Sequence, residues 1–229
     1  RHNPCSGKHA GMLALARHLG VPEVGYTEPD HPVQARVRTA MSQMMAVDLA
    51  AVQPGTDGCS APTWPVPLDR LACGFARLAA PEGLDETRAS ACRRLAAAAA
   101  AYPFMISGTG RFCTAMMERI GHRAFIKSGA EGVFCAGIRD SGLGIALKCD
   151  DGAERCGRIM LAALLRHVGA IDDADAKALS AFMAPAIENR RGVTVGEVRT
   201  APGWPGPEDG HPAGTSRTTH MRRKEGNRD

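Results

Sequence analysis

The pattern of apolar and polar positions along the chain changes its period near residue 120. Before that point apolar residues recur at helical spacing, and a short strand is expected at 50–53. Gly20 and Pro22 stop the first helix, and Pro32 lies in the first turn of the second. The helices predicted here cover about 8–19, 32–48, 67–79, 85–101 and 111–120.

Beyond residue 120 the chain contains short apolar runs separated by glycine and aspartate clusters. The runs at 122–126, 132–138 and 143–149 predict an antiparallel meander of three strands. Helices over about 153–168 and 173–183 follow, and a strand at 192–198 is expected to add to the sheet edge. The pattern predicts an α/β (α+β) domain over 1–199, with helices packed on an antiparallel sheet.

The remaining residues, 200–229, are rich in Pro, Gly and polar side chains and predict a disordered tail.

The composition restricts the classes of partner. Of 229 residues, 44% are hydrophobic and 23% charged, and the net charge of +4 is too small and too scattered to favour nucleic acid or a charged membrane. The sequence contains no run of 18 apolar residues, the length that a helix needs to cross a bilayer. Several of the eight cysteines lie in apolar periodic segments, where a thiol behaves as a small hydrophobe, so a reducing cytoplasm is the expected location.

The segment His2–His9 (HNPCSGKH) places a thiol and a lysine at the start of the first predicted helix. Backbone N–H groups and the helix dipole favour an anion there. Cys5 and Lys8 are three residues apart and can share one face, where the lysine would lower the pKa of the thiol. The alternative is a plain helix cap, with Ser6 as the capping residue and Lys8 in solvent.

Two further segments carry polar residues between glycines. Gly55–Pro62 (GTDGCSAP) predicts a tight exposed loop, and such loops carry function when a rigid scaffold positions them. Lys127-Ser128-Gly129 ends a predicted strand and is similar to the Lys-Thr-Gly element of serine β-lactamases and penicillin-binding proteins. There the lysine supplies positive charge, and the glycine lets substrate approach the backbone.

Together, six blocks resemble the bacterial L-asparaginase II family in order and spacing from residue 2 to about residue 198. The blocks are HNPCSGKHAGML (2–13), GTDGCSAP (55–62), GTGRF (108–112), KSGAEGVFCAGI (127–138), GLGIALKCDDG (142–152) and NRRGVTVGEV (189–198). The resemblance implies the fold of serine β-lactamases and glutaminases, a central antiparallel sheet with helices on both faces. It also implies hydrolysis of L-asparagine to L-aspartate and ammonia through a serine acyl-enzyme. Pro4 is a departure, because the family commonly has Asn there.

The resemblance assigns roles to individual residues. Lys127 matches the family's catalytic lysine, and backbone N–H groups near Ser128 and Gly129 are expected to hold the developing oxyanion. Thr56, Asp57, Gly58 and Gly129 are expected to bind substrate.

The family's nucleophile pair, Ser-x-x-Lys, occurs nowhere in the 229 residues, and Arg1 rather than Met opens the chain. The sequence is therefore expected to be an N-terminally incomplete fragment that is inactive alone, with the nucleophile upstream and the question of a secretory signal open.

Zinc is the cofactor that the resemblance implies, because Cys5, Lys8 and Cys59 match family positions that coordinate it. Two thiolates suit zinc, and a catalytic site leaves one position open. Lysine is an uncommon ligand, since it must first lose its proton. The alternative is that the two thiols hold the loop without a metal. The central expectation is that these three residues and Lys127 converge on one pocket.

Three rival functions remain at this stage: an inactive remnant or pseudoenzyme, a structural zinc module, and a glutaminase-type amidase on the same scaffold. Structural zinc sites usually close with four ligands, and only two well-placed cysteines are available here. The partner expected is a small molecule, L-asparagine, with a homodimer left open and neither nucleic acid nor membrane involved.

Overall fold

The computed structural model describes residues 5–205, which form an α+β arrangement around a three-stranded antiparallel sheet, as predicted. The elements in chain order are α1 (Ser6–Leu19), α2 (Pro32–Met45), β1 (Gly55–Thr56), β2 (Pro62–Thr63), α3 (Leu68–Ala79), α4 (Glu86–Ala101), α5 (Phe104–Ser107), α6 (Phe112–Ile120), β3 (Ala124–Ser128), β4 (Val133–Ile138), β5 (Gly144–Lys148), α7 (Glu154–His167), α8 (Asp173–Ala178), α9 (Ser180–Met183), β6 (Ala186–Glu188) and β7 (Thr194–Glu197). The central sheet has the order β3-β4-β5.

Helices cover both faces of this sheet, which confirms the predicted layers. On one face Gly137 and Gly144 lie directly opposite each other on neighbouring strands. A Cβ atom at either glycine would lie 2.1 Å from the Phe75 carbonyl oxygen or 1.9 Å from that of Ala72, so α3 packs at backbone distance. On the other face, buried residues such as Phe134 pack with α6 and α7 to form the main core.

A second, smaller hydrophobic cluster lies apart from the main core. It contains Met12 and Ala16 of α1, Val33 of α2 and Ala61 of the β1–β2 hairpin, with Cys59 packed against it. The first two helices and the hairpin are therefore held by their own apolar contacts. Helix α2 packs on α3, which in turn packs on the sheet, and this chain of contacts connects the two parts.

Two predicted helix boundaries and one predicted strand in the N-terminal half are wrong. Helix α1 begins at Ser6, with Cys5 as its N-cap residue, so Ser6 is inside the helix rather than capping it. Helix α2 ends at Met45 because Ala46 adopts a left-handed conformation with φ 50°. The strand expected at 50–53 is absent. Ala50 N–H donates to Asp48 Oδ1 at 2.8 Å, which closes a local turn instead.

Two predictions near the C-terminal end also differ from the structure. The helix expected over 173–183 is divided into α8 and α9 at Leu179. The strand expected at the sheet edge, β7, pairs with β6 in a separate hairpin. Asn189 explains this local pairing, because its side chain accepts hydrogen bonds from the backbone N–H groups of Arg191 and Val193 and closes the turn.

Parts of two sequence-based expectations lie outside the described residues. These are the contribution of His2, Asn3 and Pro4 to the first motif, and the predicted tail beyond residue 205. Within residues 5–205, no helix combines the length and hydropathy needed to cross a membrane. The eight cysteines all fall in this range, and they form no disulfide.

Candidate functional site

The β1–β2 hairpin presents Asp57 and Cys59 at its tip. Asp57 N–H donates to Ala61 O at 2.9 Å, and Ser60 N–H donates to Asp57 O at 2.8 Å, which closes a tight turn. Gly58 N–H donates to Asp57 Oδ1 at 2.7 Å. These bonds fix the carboxylate so that its second oxygen, Oδ2, faces the start of α1.

Four side chains meet between this tip and the first turn of α1. Lys8 Nζ lies 3.1 Å from Asp57 Oδ2, and Cys59 Sγ also donates to Oδ2 at 3.1 Å. The Cys5 thiol is hydrogen bonded to Cys59. The structure thus brings Cys5, Lys8 and Cys59 together, as expected, and adds Asp57. We call these four residues the thiol group.

The plain-cap alternative for this helix start does not describe the structure. Cys5, not Ser6, occupies the N-cap position, and its side chain makes no capping hydrogen bond. Lys8 is ion-paired with Asp57 rather than in solvent alone, although 41% of its side chain is exposed.

The electrostatics of the thiol group correct one expectation about Cys5. Burial and the hydrogen bond that Cys5 donates to Cys59 raise the pKa of the Cys5 thiol, and the opposing effect of Lys8 is smaller. Lys8 does lower this pKa, as expected, but burial and the hydrogen bond to Cys59 outweigh it, so the pKa of Cys5 is raised overall. Hydrogen bonds from Cys59, Lys8 and the Gly58 backbone lower the pKa of Asp57, whose charge offsets that of the lysine. Burial opposes the charged form of Lys8, but hydrogen bonds to Asp57 and Cys59 outweigh it and raise the lysine pKa.

The thiol group offers a plausible donor set for a cation. One ligand atom each from Cys5, Asp57 and Cys59 lies within 4.8 Å of the others. Tetrahedral zinc with bonds of about 2.0–2.3 Å holds neighbouring ligand atoms roughly 3.3–3.8 Å apart, so a small closure would suffice. Three protein ligands would leave the fourth position open.

The predicted catalytic residues, Lys127 and Ser128, lie on β3 at the edge of the sheet. Lys127 pairs with Cys135 and Ser128 with Phe134, so the two side chains point to opposite faces. Lys127 lies on the same face of the sheet as Gly137, which is the face that α3 covers. Its Nζ donates to the Ser128 carbonyl oxygen at 2.5 Å. Thr56 lies on β1 in the hairpin and is exposed.

Two buried thiols neighbour Lys127 and Ser128, and no sequence motif indicates this. The Ser128 side chain is hydrogen bonded to Cys113 of α6. Burial raises the pKa of the Cys113 thiol and raises that of Cys135 to about 12, while Lys127 draws both down by a smaller amount. Both thiols are therefore neutral near pH 7. We call Lys127, Ser128, Cys113 and Cys135 the strand group.

The expected oxyanion donors both have partners. Gly129 N–H donates to Val133 O at 2.7 Å as part of the sheet ladder. This donor is therefore committed to the backbone. The Ser128 N–H faces the Cys113 sulfur, a weak acceptor that a stronger one could replace. Of the two N–H groups, Ser128 is better suited to the oxyanion role.

The thiol group and the strand group are built on different elements. The first rests on α1 and the hairpin beside the small hydrophobic cluster, and the second on β3, β4 and α6 beside the main core. Lys127 donates to its own strand and acts electrostatically on the two buried thiols, while the four residues of the thiol group contact one another. The convergence of Lys127 with Cys5, Lys8 and Cys59 stays a prediction.

Comparison with known proteins supports the resemblance seen in the motifs. The family whose description is L-asparaginase II matches residues 1–200, a range that contains both groups. No curated protein matches the chain. The chain belongs to the L-asparaginase II family and is related to amidohydrolases of the asparaginase type.

Proposed function

We propose that this protein hydrolyses the side-chain amide of L-asparagine to L-aspartate and ammonia through a serine acyl-enzyme. The observation that carries the proposal is the family match over residues 1–200. The Lys127-Ser128 pair on the edge strand supports it, because an edge strand leaves room for a substrate beside the sheet.

In the proposed reaction a serine hydroxyl attacks the amide carbon, the C–N bond breaks, and ammonia leaves with the proton that it gains. Water then cleaves the ester and releases aspartate. Lys127 assists the proton transfer at the serine, and Ser128 N–H donates to the oxyanion. No Ser-x-x-Lys pattern occurs in the 229 residues, so we assign the nucleophile to a residue outside them.

We further propose that the thiol group binds zinc beside the substrate. The donor chemistry fits, since two thiols and a carboxylate lie within 4.8 Å of one another. When bound, zinc would supply a positive charge and one open coordination position. Thr56, Gly58 and Gly129 are the residues that we assign to substrate binding.

The third zinc ligand distinguishes two versions of this proposal. The family resemblance assigns it to Lys8, which would have to lose a proton although its pKa is raised. Asp57 is already ionised and lies in the same cluster. We favour Asp57, with Lys8 as its ion-pair partner.

The decisive experiment measures ammonia release from L-asparagine and from L-glutamine. We expect none from the 229-residue chain and release from a chain extended at its N terminus by the residues encoded upstream of Arg1. Equal release by both chains would show that the nucleophile is assigned wrongly. Release by neither would contradict the proposed activity, and faster release from glutamine would favour the glutaminase alternative.

A further inference from the structure

A small cavity lies where β3 ends and the first turns of α6 and α7 meet. Its volume is about 100 Å³, and the polar residues that line it are Ser107, Arg111, Ser128, Glu154 and Arg158. A water molecule needs roughly 10–15 Å³ of such space. The cavity therefore has room for a ligand of a few non-hydrogen atoms.

Arg158 has no counter-ion in the part of the chain that the structure describes. Within residues 5–205 its side chain makes no hydrogen bond or ion pair, and its Nε atom is buried. Arg123 and Arg139 also bury Nε, but their Nη2 atoms donate to Asp175 and to the Ala96 carbonyl oxygen. A guanidinium with a buried and unsatisfied donor is costly, because the lost hydration is not replaced.

The charges around the cavity leave one positive charge in surplus. Arg111 Nη2 lies 3.2 Å from Glu154 Oε1, so these two side chains neutralise each other. Arg158 is then the uncompensated charge. Helix α6 begins at the cavity wall with Phe112, and its N-cap Arg111 makes no capping hydrogen bond, so first-turn N–H groups add to the donors there.

We propose that this cavity binds a small carboxylate monoanion, with Arg158 as its counter-ion. The planar fork of a guanidinium matches a carboxylate, and the hydroxyl group of Ser107 supplies a further donor. The single surplus charge favours a monoanion over a dianion. The carboxylate belongs either to a free short-chain acid or to an amino acid, and the site does not depend on asparagine hydrolysis.

The test is a binding measurement on the full 229-residue chain. The thermal unfolding midpoint is followed against sodium acetate, at an ionic strength held constant with sodium chloride. A ligand that binds only the folded state raises this midpoint with concentration. We expect acetate to raise it, and Arg158→Met to weaken acetate binding by about ten-fold or more. Arg155→Met is the matched control, because Arg155 lies on the same helix and is paired with Asp151.

The outcomes separate the proposal from a structural role for Arg158. If Arg158 only supported the fold, Arg158→Met would lower the midpoint without acetate. We expect no such loss, since removal of a half-buried charge that has an unsatisfied buried Nε and no counter-ion does not destabilise. Arg158→Lys, which keeps the charge, should retain part of the acetate response. No acetate response in the wild type, or an equal response in Arg158→Met, would overturn the proposal.

A competition arm identifies the source of the carboxylate. If L-aspartate displaces acetate labelled for NMR, the cavity accepts the carboxylate of an amino acid. If aspartate does not compete, the ligand is a free short-chain acid. Both results support an anion site, and both are independent of ammonia release.

Discussion

The thiol group and the strand group differ in what holds them in place. The thiol group is half-exposed, with 38% of the Asp57 side chain accessible. It depends on side-chain contacts between the start of a helix and a hairpin whose strands have two residues each. The strand group rests on a five-residue strand whose backbone is paired along its whole length. Cys113 and Cys135 beneath it are 1% and 2% exposed.

This contrast separates two ways of building a site. Sheet hydrogen bonds position Lys127 and Ser128 whether or not a ligand is present, and such preorganisation suits residues that act on a reacting bond. The thiol group consists of two thiols, a carboxylate and an ammonium group, and a cation would bind the thiols and the carboxylate together. We therefore expect substitutions in the strand group to change turnover and substitutions in the thiol group to change metal affinity.

The largest expected effect is on turnover. In an extended, active chain, Lys127→Met should lower ammonia release by at least about 1,000-fold, because proton transfer at the serine loses its assisting group. Zinc content should not change. Lys148→Met is the control, since Lys148 Nζ donates to the carbonyl oxygen of the following residue at 2.6 Å as Lys127 does. A loss of only two-fold would make Lys127 structural.

The next effect concerns the stability of the sheet region. Asp175 is buried and accepts hydrogen bonds from Arg119, at 2.5 Å, and from Arg123. Asp175→Asn should lower the free energy of unfolding by about 3 kcal/mol, measured by chemical denaturation, because two arginines lose a buried partner. Asp173→Asn, on an aspartate that pairs with Arg166 but is 93% exposed, should change it little.

The same carboxylate gives this stability a pH dependence. Burial alone would raise the pKa of Asp175, but hydrogen bonds from Arg123, Arg119 and the Asp172 backbone outweigh it and hold the pKa at about 2. Because this is below the unfolded value of about 3.9, the contribution is present above pH 4 and disappears as the pH falls towards 2. The difference between wild type and Asp175→Asn should shrink over that range, and a constant difference would contradict the assignment.

A smaller effect is expected for metal affinity. Cys59→Ala should weaken zinc binding by more than about 100-fold, since a first ligand matters more than the surrounding residues, whose loss costs about 10–100-fold. Competition with a chromophoric chelator measures this. Cys73→Ala, at a half-buried cysteine on α3, should leave affinity unchanged. Equal affinities in both variants would mean that the thiols hold the loop without a metal.

The smallest expected effect, again on zinc affinity, distinguishes Asp57 from Lys8 as the third zinc ligand. Asp57→Asn should weaken zinc binding by about ten-fold, whereas Lys8→Met should alter it less, because Lys8 is held as an ammonium by Asp57. The same chelator competition applies to both variants. A larger loss in Lys8→Met than in Asp57→Asn would assign the ligand to the lysine, as the family resemblance implies.

Local patterns predicted the elements better than the contacts between them. The meander of three strands follows from alternating apolar runs and turn residues, and the structure confirms it. The grouping of Cys5 and Lys8 with Cys59 came from family motifs, because no local pattern links residues that far apart. The carboxylate of Asp57 was assigned to substrate because its loop alone does not show which way Oδ2 faces.

Contacts over long sequence separations could not be read from the chain. Asp175 meets arginines 52 and 56 positions earlier, and nothing in the helix that begins there indicates them. The lack of a counter-ion for Arg158 could not be predicted either, because it depends on which residues surround that side chain in the fold. The pattern predicts the strand β7 correctly as an element, but its partner β6 is only three residues long, which is too short to be recognised.

The facing glycines Gly137 and Gly144 have a consequence for how the two groups are spaced. Helix α3 packs between α2 and the sheet. Its close approach to the two glycines therefore determines how far α2 lies from the sheet. One methyl group at either glycine would collide with the helix backbone and lift it. The spacing between the strand group and the thiol group thus depends on the absence of two side chains.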